Sequence, residues 1–199
     1  MQHFSMYIRL KKQRGRQVVS VELIVAAQNG EQEALVSILR AVEPNAYKTA
    51  VYLLGNRQDA LDATQETLIR ISRSIYQYEN RALFHTWVHR IVTNLCYDHL
   101  RRRQEQVSID SSELVLSTNE QVEDQVLKAV LVDDVQRAIY ALQEPYRSIV
   151  VLRYVHQLSY EEVAETTELP LNTVKSHLFR AKTKLQQLLS DYKKGGELR

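Results

Sequence analysis

The chain has 199 residues, with 26 Lys plus Arg against 24 Asp plus Glu and a net charge of +2, so it is not built for uniform electrostatic coating of a polyanion. Its one cysteine excludes an internal disulfide and points to a reducing, cytoplasmic setting. Five glycines and three prolines in a 44% hydrophobic chain predict an all-helical soluble fold, and no apolar run approaches membrane-spanning length, which excludes direct membrane insertion.

Residues 1–19 carry Arg9, Lys11, Lys12, Arg14 and Arg16, no acid and no helical period. They read as a basic N-terminal arm, disordered or untranslated, without the apolar centre of a signal peptide. From Ser20 the period is helical: Val21, Leu23, Ile24 and Ala27 lead to a stop at Asn29-Gly30. Ala34, Leu35, Ile38 and Leu39 continue on one face. Pro44 is expected to open a further helix through Tyr47, Val51 and Leu54, ended by Gly55-Asn56. In the next helix, Asp59 to Ile75, Leu61, Leu68, Ile71 and Ile75 are expected to face a core. Asp62, Gln65, Glu66, Arg70 and Arg73 are left on its other faces.

Tyr76 to Leu83 is too irregular for a helix. Phe84 to Arg103 is a long helix with Phe84, Val88, Ile91, Val92 and Leu95 as its buried stripe, ending in Arg101-Arg102-Arg103. His85, His89, Cys96 and His99 share a stripe of it, which invites a metal. At ~1.5 Å per residue His89 and Cys96 stand about 10 Å apart along the axis, too far for one tetrahedral zinc. With no metal, cofactor, phosphate-loop or nucleophile motif in the chain, an enzyme is the weakest class.

Val107 to Asn119 is rich in serine and acids and reads as a linker. Its Val107, Ile109, Leu114, Val115 and Leu116 are more apolar than a tether needs, so it is expected to lie extended on a partner. Helices resume from Glu120 to Ala141, with Val126, Val130, Val135, Ile139 and Leu142 inward. Pro145 then opens Tyr146 to Val155.

Ser159-Tyr160-Glu161-Glu162 is a capping box that starts a short helix to about Thr166. Thr167 to Pro170 breaks it. A second helix runs from Leu171 to about Leu189 on the stripe Leu171, Val174, Leu178, Ala181, Leu185 and Leu188. Its opposite side carries Asn172, Thr173, Lys175, Ser176, Phe179, Arg180, Lys182 and Thr183. A short helix, a tight turn and a helix with a polar, basic outer face form a helix-turn-helix. Phe179 is well placed there for a thymine methyl or a sugar.

Together these segments resemble the extracytoplasmic-function sigma factors, promoter-recognition subunits of bacterial RNA polymerase. Asp62-Ala-Thr-Gln65-Glu66 resembles the segment that docks on the polymerase clamp helices. Phe84-His-Thr-Trp87-Val88, then Asn94, Asp98 and Arg101 to Arg103, resemble the segment that melts the promoter and reads its −10 element. Leu158 to Ala164 and Thr173-Val174-Lys175-Ser176 resemble the −35-reading helix-turn-helix.

The resemblance implies two small helical domains, residues 20–106 and 120–192, joined by an acidic linker over 107–119, with a tail over 193–199. It implies core polymerase as a partner, through the β′ clamp helices and the β flap, with promoter DNA and an anti-sigma factor. The core-binding residues are then Asp62, Gln65 and Glu66. The −10 residues are Tyr78, Glu79, Asn80, Arg81, Ala82, Leu83, Trp87, Arg90, Asn94, Arg101, Arg102 and Arg103. The −35 residues are Thr173, Lys175, Ser176, Phe179, Arg180 and Lys182. Four positions depart from the family pattern: Leu68 for a phenylalanine, Glu168 and Asn172 where glycine is frequent, and His177 for an arginine. The alternative is a one-component DNA-binding regulator, which would not need the acidic linker or the aromatic, basic helix from Phe84.

Overall fold

The computed structural model describes residues 19–79, 82–110 and 134–196, which form helices and turns with no strand among them. The first helix, α1 (Val21–Gln28), starts where the Ser20 hydroxyl accepts from the Leu23 amide and stops at Asn29, before Gly30 turns the chain at φ 93°.

Helix α2 (Gln32–Leu54) runs straight through Pro44, which does not open a new helix. Glu43, Pro44 and Asn45 are all exposed, while Ala34, Ile38, Val42, Ala46, Ala50 and Leu53 make one buried stripe across both halves. Proline costs a helix about 3 kcal/mol, and burial of a continuous stripe offsets that. Gly55 caps the helix at φ 69°, a left-handed conformation that glycine adopts without strain.

The Asn56 side chain caps α3 (Arg57–Ser74) by accepting from the Asp59 amide at 3.1 Å. Ala60, Ala63, Thr64, Thr67 and Ile71 are its buried positions. The Thr64 and Thr67 hydroxyls donate to the carbonyls of Ala60 and Ala63, so small, internally satisfied residues let α3 approach its neighbours closely. Leu61 does not face the core as its periodicity predicts: it stands one position off this narrow stripe and is 38% exposed, as Ile69 is 42%. A single 3-10 turn follows over Ile75–Gln77.

Helix α4 (Phe84–Asp110) continues past Arg103, since no glycine or proline stops it there. The remainder of the expected linker, and the expected helix before Asp134, lie outside the described residues. Helix α5 (Asp134–Tyr140) leads to α6 (Tyr146–Val150), whose first residue follows Pro145 and whose end widens into π-helical turns over Val151–Val155. Helices α7 (Tyr160–Thr167) and α8 (Leu171–Gly196) complete the chain.

Two apolar clusters hold these elements. One lies within the N-terminal bundle and gathers Ile24, Ile38, Ile71, Ile75, Phe84 and Val88. The other joins the two halves of the chain: Leu53, Leu54, Val92 and Cys96 meet Ile139, Leu142, Ile149, Leu152, Val163 and Leu178. The two halves therefore lie against each other, and α4 is buried on two sides.

Candidate nucleic-acid interface

The helix-turn-helix is built as its sequence predicts. The Ser159 hydroxyl accepts from the Glu162 amide at 3.1 Å, and the Glu162 carboxylate accepts from the Ser159 amide. Glu168 ends α7 at φ 56°, in the left-handed region where glycine is frequent in the resembling family; a side chain there costs about 1 kcal/mol. Val174, Leu178, Ala181 and Leu185 are buried. Asn172, Lys175, Ser176, Arg180, Lys182 and Thr183 are exposed, Phe179 is 74% exposed, and Thr173 is half-buried. His177 turns inward instead, its ring edge-on to Tyr146 at 5.0 Å. Thus α8 offers an open face with three cations and one unsupported aromatic ring, the chemistry of a major-groove helix.

A second open face lies on α3. Asp62 and Gln65 are exposed and Glu66 is half-buried. Gln58 donates to Asp62 and Arg70 pairs with Glu66, each at 3.2 Å. The exposed Leu61 and Ile69 flank these groups as an apolar component, of which periodicity misassigns Leu61 to the core.

The residues of the −10 set are spread along α4 and the turn before it. Tyr78 is only 8% exposed; its hydroxyl donates to the Ala82 carbonyl at 2.6 Å. Burial, then the Glu165 charge, raises its phenol pKa. Its ring meets those of Phe84 and Trp87 at 5.3 Å, and these two lie 5.5 Å apart. Tyr78 and Phe84 are buried parts of this trio and Trp87 is half-buried at its edge. Glu79 and Leu83 are exposed and Ala82 is half-buried, while Asn80 and Arg81 lie outside the described residues. Asn94, Arg101, Arg102 and Arg103 are exposed, with Arg101 paired to Asp98 at 3.2 Å. Arg90 is engaged differently: it donates to the Glu165 carbonyl at 2.7 Å and pairs with Glu168 at 3.7 Å.

The histidines of α4 go to separate partners. His85 Nε2 lies 2.6 Å from Glu162, and His99 lies 3.4 Å from Asp59. The His89 ring stands against His156 at 4.3 Å, and His156 is 2.8 Å from the Thr49 hydroxyl. Among the described residues no cluster of histidine, cysteine and carboxylate could hold a metal. Next along α4, Tyr97 is hydrogen-bonded to Ser148, whose amide donates to Glu144. Burial pushes the Glu144 carboxyl up despite Arg147 beside it, and pushes the Cys96 thiol up to about 12.

Comparison with known proteins agrees with this architecture. The Sigma-70 region 2 model matches residues 38–106, and the Sigma-70 region 4 model matches residues 133–185. The ECF RNA polymerase sigma factor SigW of Bacillus subtilis is 29% identical over 178 residues, covering 84% of this chain and 95% of that protein. The ECF RNA polymerase sigma factor SigE of Mycolicibacterium smegmatis is 34% identical over 169 residues, covering 82% of this chain and 65% of that one. Two solved structures share the fold at a TM-score of 0.62 each. The sigma factor RpoE in complex with the anti-sigma factor NepR, from Bartonella quintana, is 23% identical and covers 82% of this chain and 98% of its own. CnrH in complex with the cytosolic domain of CnrY is 21% identical and covers 85% and 96%. No helix among the described residues is long and apolar enough to cross a membrane.

Proposed function

This chain belongs to the extracytoplasmic-function family of RNA polymerase sigma factors, and from that membership we propose which residues carry each part of the work. It is a sigma factor that binds core RNA polymerase and directs promoter-specific initiation through −10 and −35 elements. It does so by binding and positioning, with no bond-making chemistry of its own, in the cytoplasm.

In this reading α3 docks on the clamp helices of the β′ subunit. Asp62, Gln65 and Glu66 supply the polar contacts, and Leu61 and Ile69 the apolar area that excludes water around them. Helix α8 enters the major groove of the −35 element. Arg180 reads a guanine edge, Phe179 packs on a thymine methyl or a sugar, and Lys175, Ser176 and Thr173 complete the contact. Lys182 holds a phosphate. The turn Tyr78 to Leu83, with Trp87, Arg90 and Asn94, captures the opened −10 strand, while Arg101 to Arg103 hold its backbone. The half of the chain that carries α8 also meets the β flap.

An anti-sigma factor is a further proposed partner. NepR is the anti-sigma factor in one of the two structures of the same fold, and in the other CnrH is held by the cytosolic domain of CnrY.

The observation that carries the reading is the pairing, in one chain, of an open acid-and-amide face on α3 with an open basic recognition face on α8. A one-component regulator needs only the second. Run-off transcription with purified core polymerase decides between them: promoter-specific transcripts are expected only when this chain is added. DNA binding without any effect on initiation would favour the regulator.

A further inference from the structure

We infer, on the footing of the sigma-factor reading above, that Gln28 is a positioning residue for −10 recognition: its side-chain amide holds the entry of the −10 turn and so tunes base preference without touching DNA.

Gln28 is the last residue of α1, and its partners lie 47 and 50 residues further along the chain. Its Nε2 donates to the Ile75 carbonyl at 2.9 Å and to the Tyr78 carbonyl at 2.8 Å. Both partners are carbonyl oxygens, so the NH2 end of the amide faces them, and its two N–H groups match the two acceptors. Methionine and ionised glutamate keep the length of the side chain but offer neither donor. The end of a helical turn leaves carbonyls without partners of its own. Here the 3-10 turn Ile75–Gln77 closes with the Tyr78 amide on the Ile75 carbonyl at 3.1 Å. Gln28 fills the second acceptor site of Ile75 and takes the Tyr78 carbonyl.

The tie continues through Tyr78. Its backbone is held by Gln28, and its phenol donates to the Ala82 carbonyl at 2.6 Å, four residues on. Its ring meets Phe84 edge-on and Trp87 at a tilt, each at 5.3 Å. One buried residue therefore sets the start of the turn and the place of its far side. Glu79 and Leu83 stand exposed beside these held points, free to meet an opened strand. A recognition site needs its groups within about 0.5 Å of the productive geometry, a tolerance that release of the Tyr78 carbonyl would exceed.

Packing alone does not call for the amide. Ile24 and Ala27 already seat α1 on Ile75, Tyr78 and Phe84 in the N-terminal cluster. Gln28 is half-buried beside them, where an apolar side chain of the same length would fit as well. Apolar burial has no direction; two hydrogen bonds from one nitrogen fix how the turn leaves the bundle.

The test uses the full chain with purified core polymerase, native and as Gln28→Met. Both are titrated on promoter DNA premelted across the −10 element, with single-base changes in the non-template strand. A ratio of affinities between bases does not depend on how much of the chain is folded, so a merely structural loss leaves it unmoved. Gln28→Met should lower the largest ratio about fivefold, the order of one net hydrogen bond, with unchanged recovery of core and unchanged discrimination among −35 duplexes. Trp87 is the chain's single tryptophan and stands beside Tyr78, so iodide quenching of its emission in the free chain should rise. If circular dichroism shows lost helix in Gln28→Met, Gln28→Glu takes its place at neutral pH. Native base ratios in the variant overturn the inference, even with altered Trp87 quenching, because Gln28 would then be a structural tie only. Equal losses at every −10 base overturn it as well. Glu79→Ala and Leu83→Ala separate it from the reading beneath it. If they change the ratios and Gln28→Met does not, the positioning role alone falls. If none of the three changes them, the turn is not the −10 reader and both fall.

Discussion

Nε2 of His85 lies 2.6 Å from Oε1 of Glu162, tying the first turn of α4 to the capping box of the helix-turn-helix. Burial of the Glu162 carboxyl works to raise its pKa, but the Ser159 amide and hydroxyl and the His85 ring outweigh it and hold it below the usual carboxylate range. A carboxylate depressed in the folded state contributes stability above its unfolded pKa, and that contribution is lost as pH falls through the folded value. Glu162→Gln keeps the capping box, since glutamine serves at that position. It should cost about 1 kcal/mol at neutral pH. The difference from native protein should shrink steadily below about pH 4.5. Denaturant titrations from neutral to acid pH check this, and a constant difference would contradict it.

Gly55 allows a test of the seam between the two halves. Gly55→Ala should cost about 1 kcal/mol for the left-handed backbone, plus about 1–3 kcal/mol for overlap with the Tyr140 ring. In a Tyr140→Ala background only the backbone part should remain. A thermal-denaturation double-mutant cycle measures the coupling, and additive losses would show that the ring is not in the way.

On α3, Asp62→Ala combined with Glu66→Ala should weaken binding to core polymerase with little change in melting temperature. Both side chains make only one short contact each at the surface, worth about 0.3–0.5 kcal/mol. Leu61→Ala should act in the same direction. Pull-down of core with the variants would settle the matter, and undiminished recovery would remove the face from the docking site.

On α8, Arg180→Ala should lose about 1–3 kcal/mol of discrimination at one or two base pairs of the −35 element. Lys182→Ala should weaken every sequence alike and lower the salt dependence by about one counterion. Binding titrations across single-base variants at several salt concentrations separate the two. Equal losses on all variants for Arg180→Ala would make it a backbone contact.

The helix-turn-helix is legible in the sequence because its signals are local: Ser159 and Glu162 cap each other, and Val174, Leu178, Ala181 and Leu185 repeat at helical spacing. Pro44 misleads because its effect depends on which side of the helix the ring falls, which only the packed stripe from Ala34 to Leu53 decides. Leu61 misleads because hydrophobicity favours leucine, whereas close helix packing favours Ala60, Ala63 and Thr67. The polar side of α4 is the deepest omission. Thr86, His89, Thr93 and Tyr97 lie off the predicted apolar stripe yet are buried or half-buried, and no periodicity reveals that a distant segment lies against His89 and Tyr97.

The position of Cys96 has a consequence for how signals reach this protein. It is the chain's single cysteine, fully buried at the junction of the two halves, and its thiol is pushed up to about 12 by burial and then by the Glu144 charge. At neutral pH fewer than about one molecule in ten thousand carries the thiolate, the form that oxidants and electrophiles attack. In this packing the chain is therefore chemically deaf through sulfhydryl chemistry. Any oxidative or electrophilic input that works by thiol modification must be sensed by another molecule and passed to this one by binding.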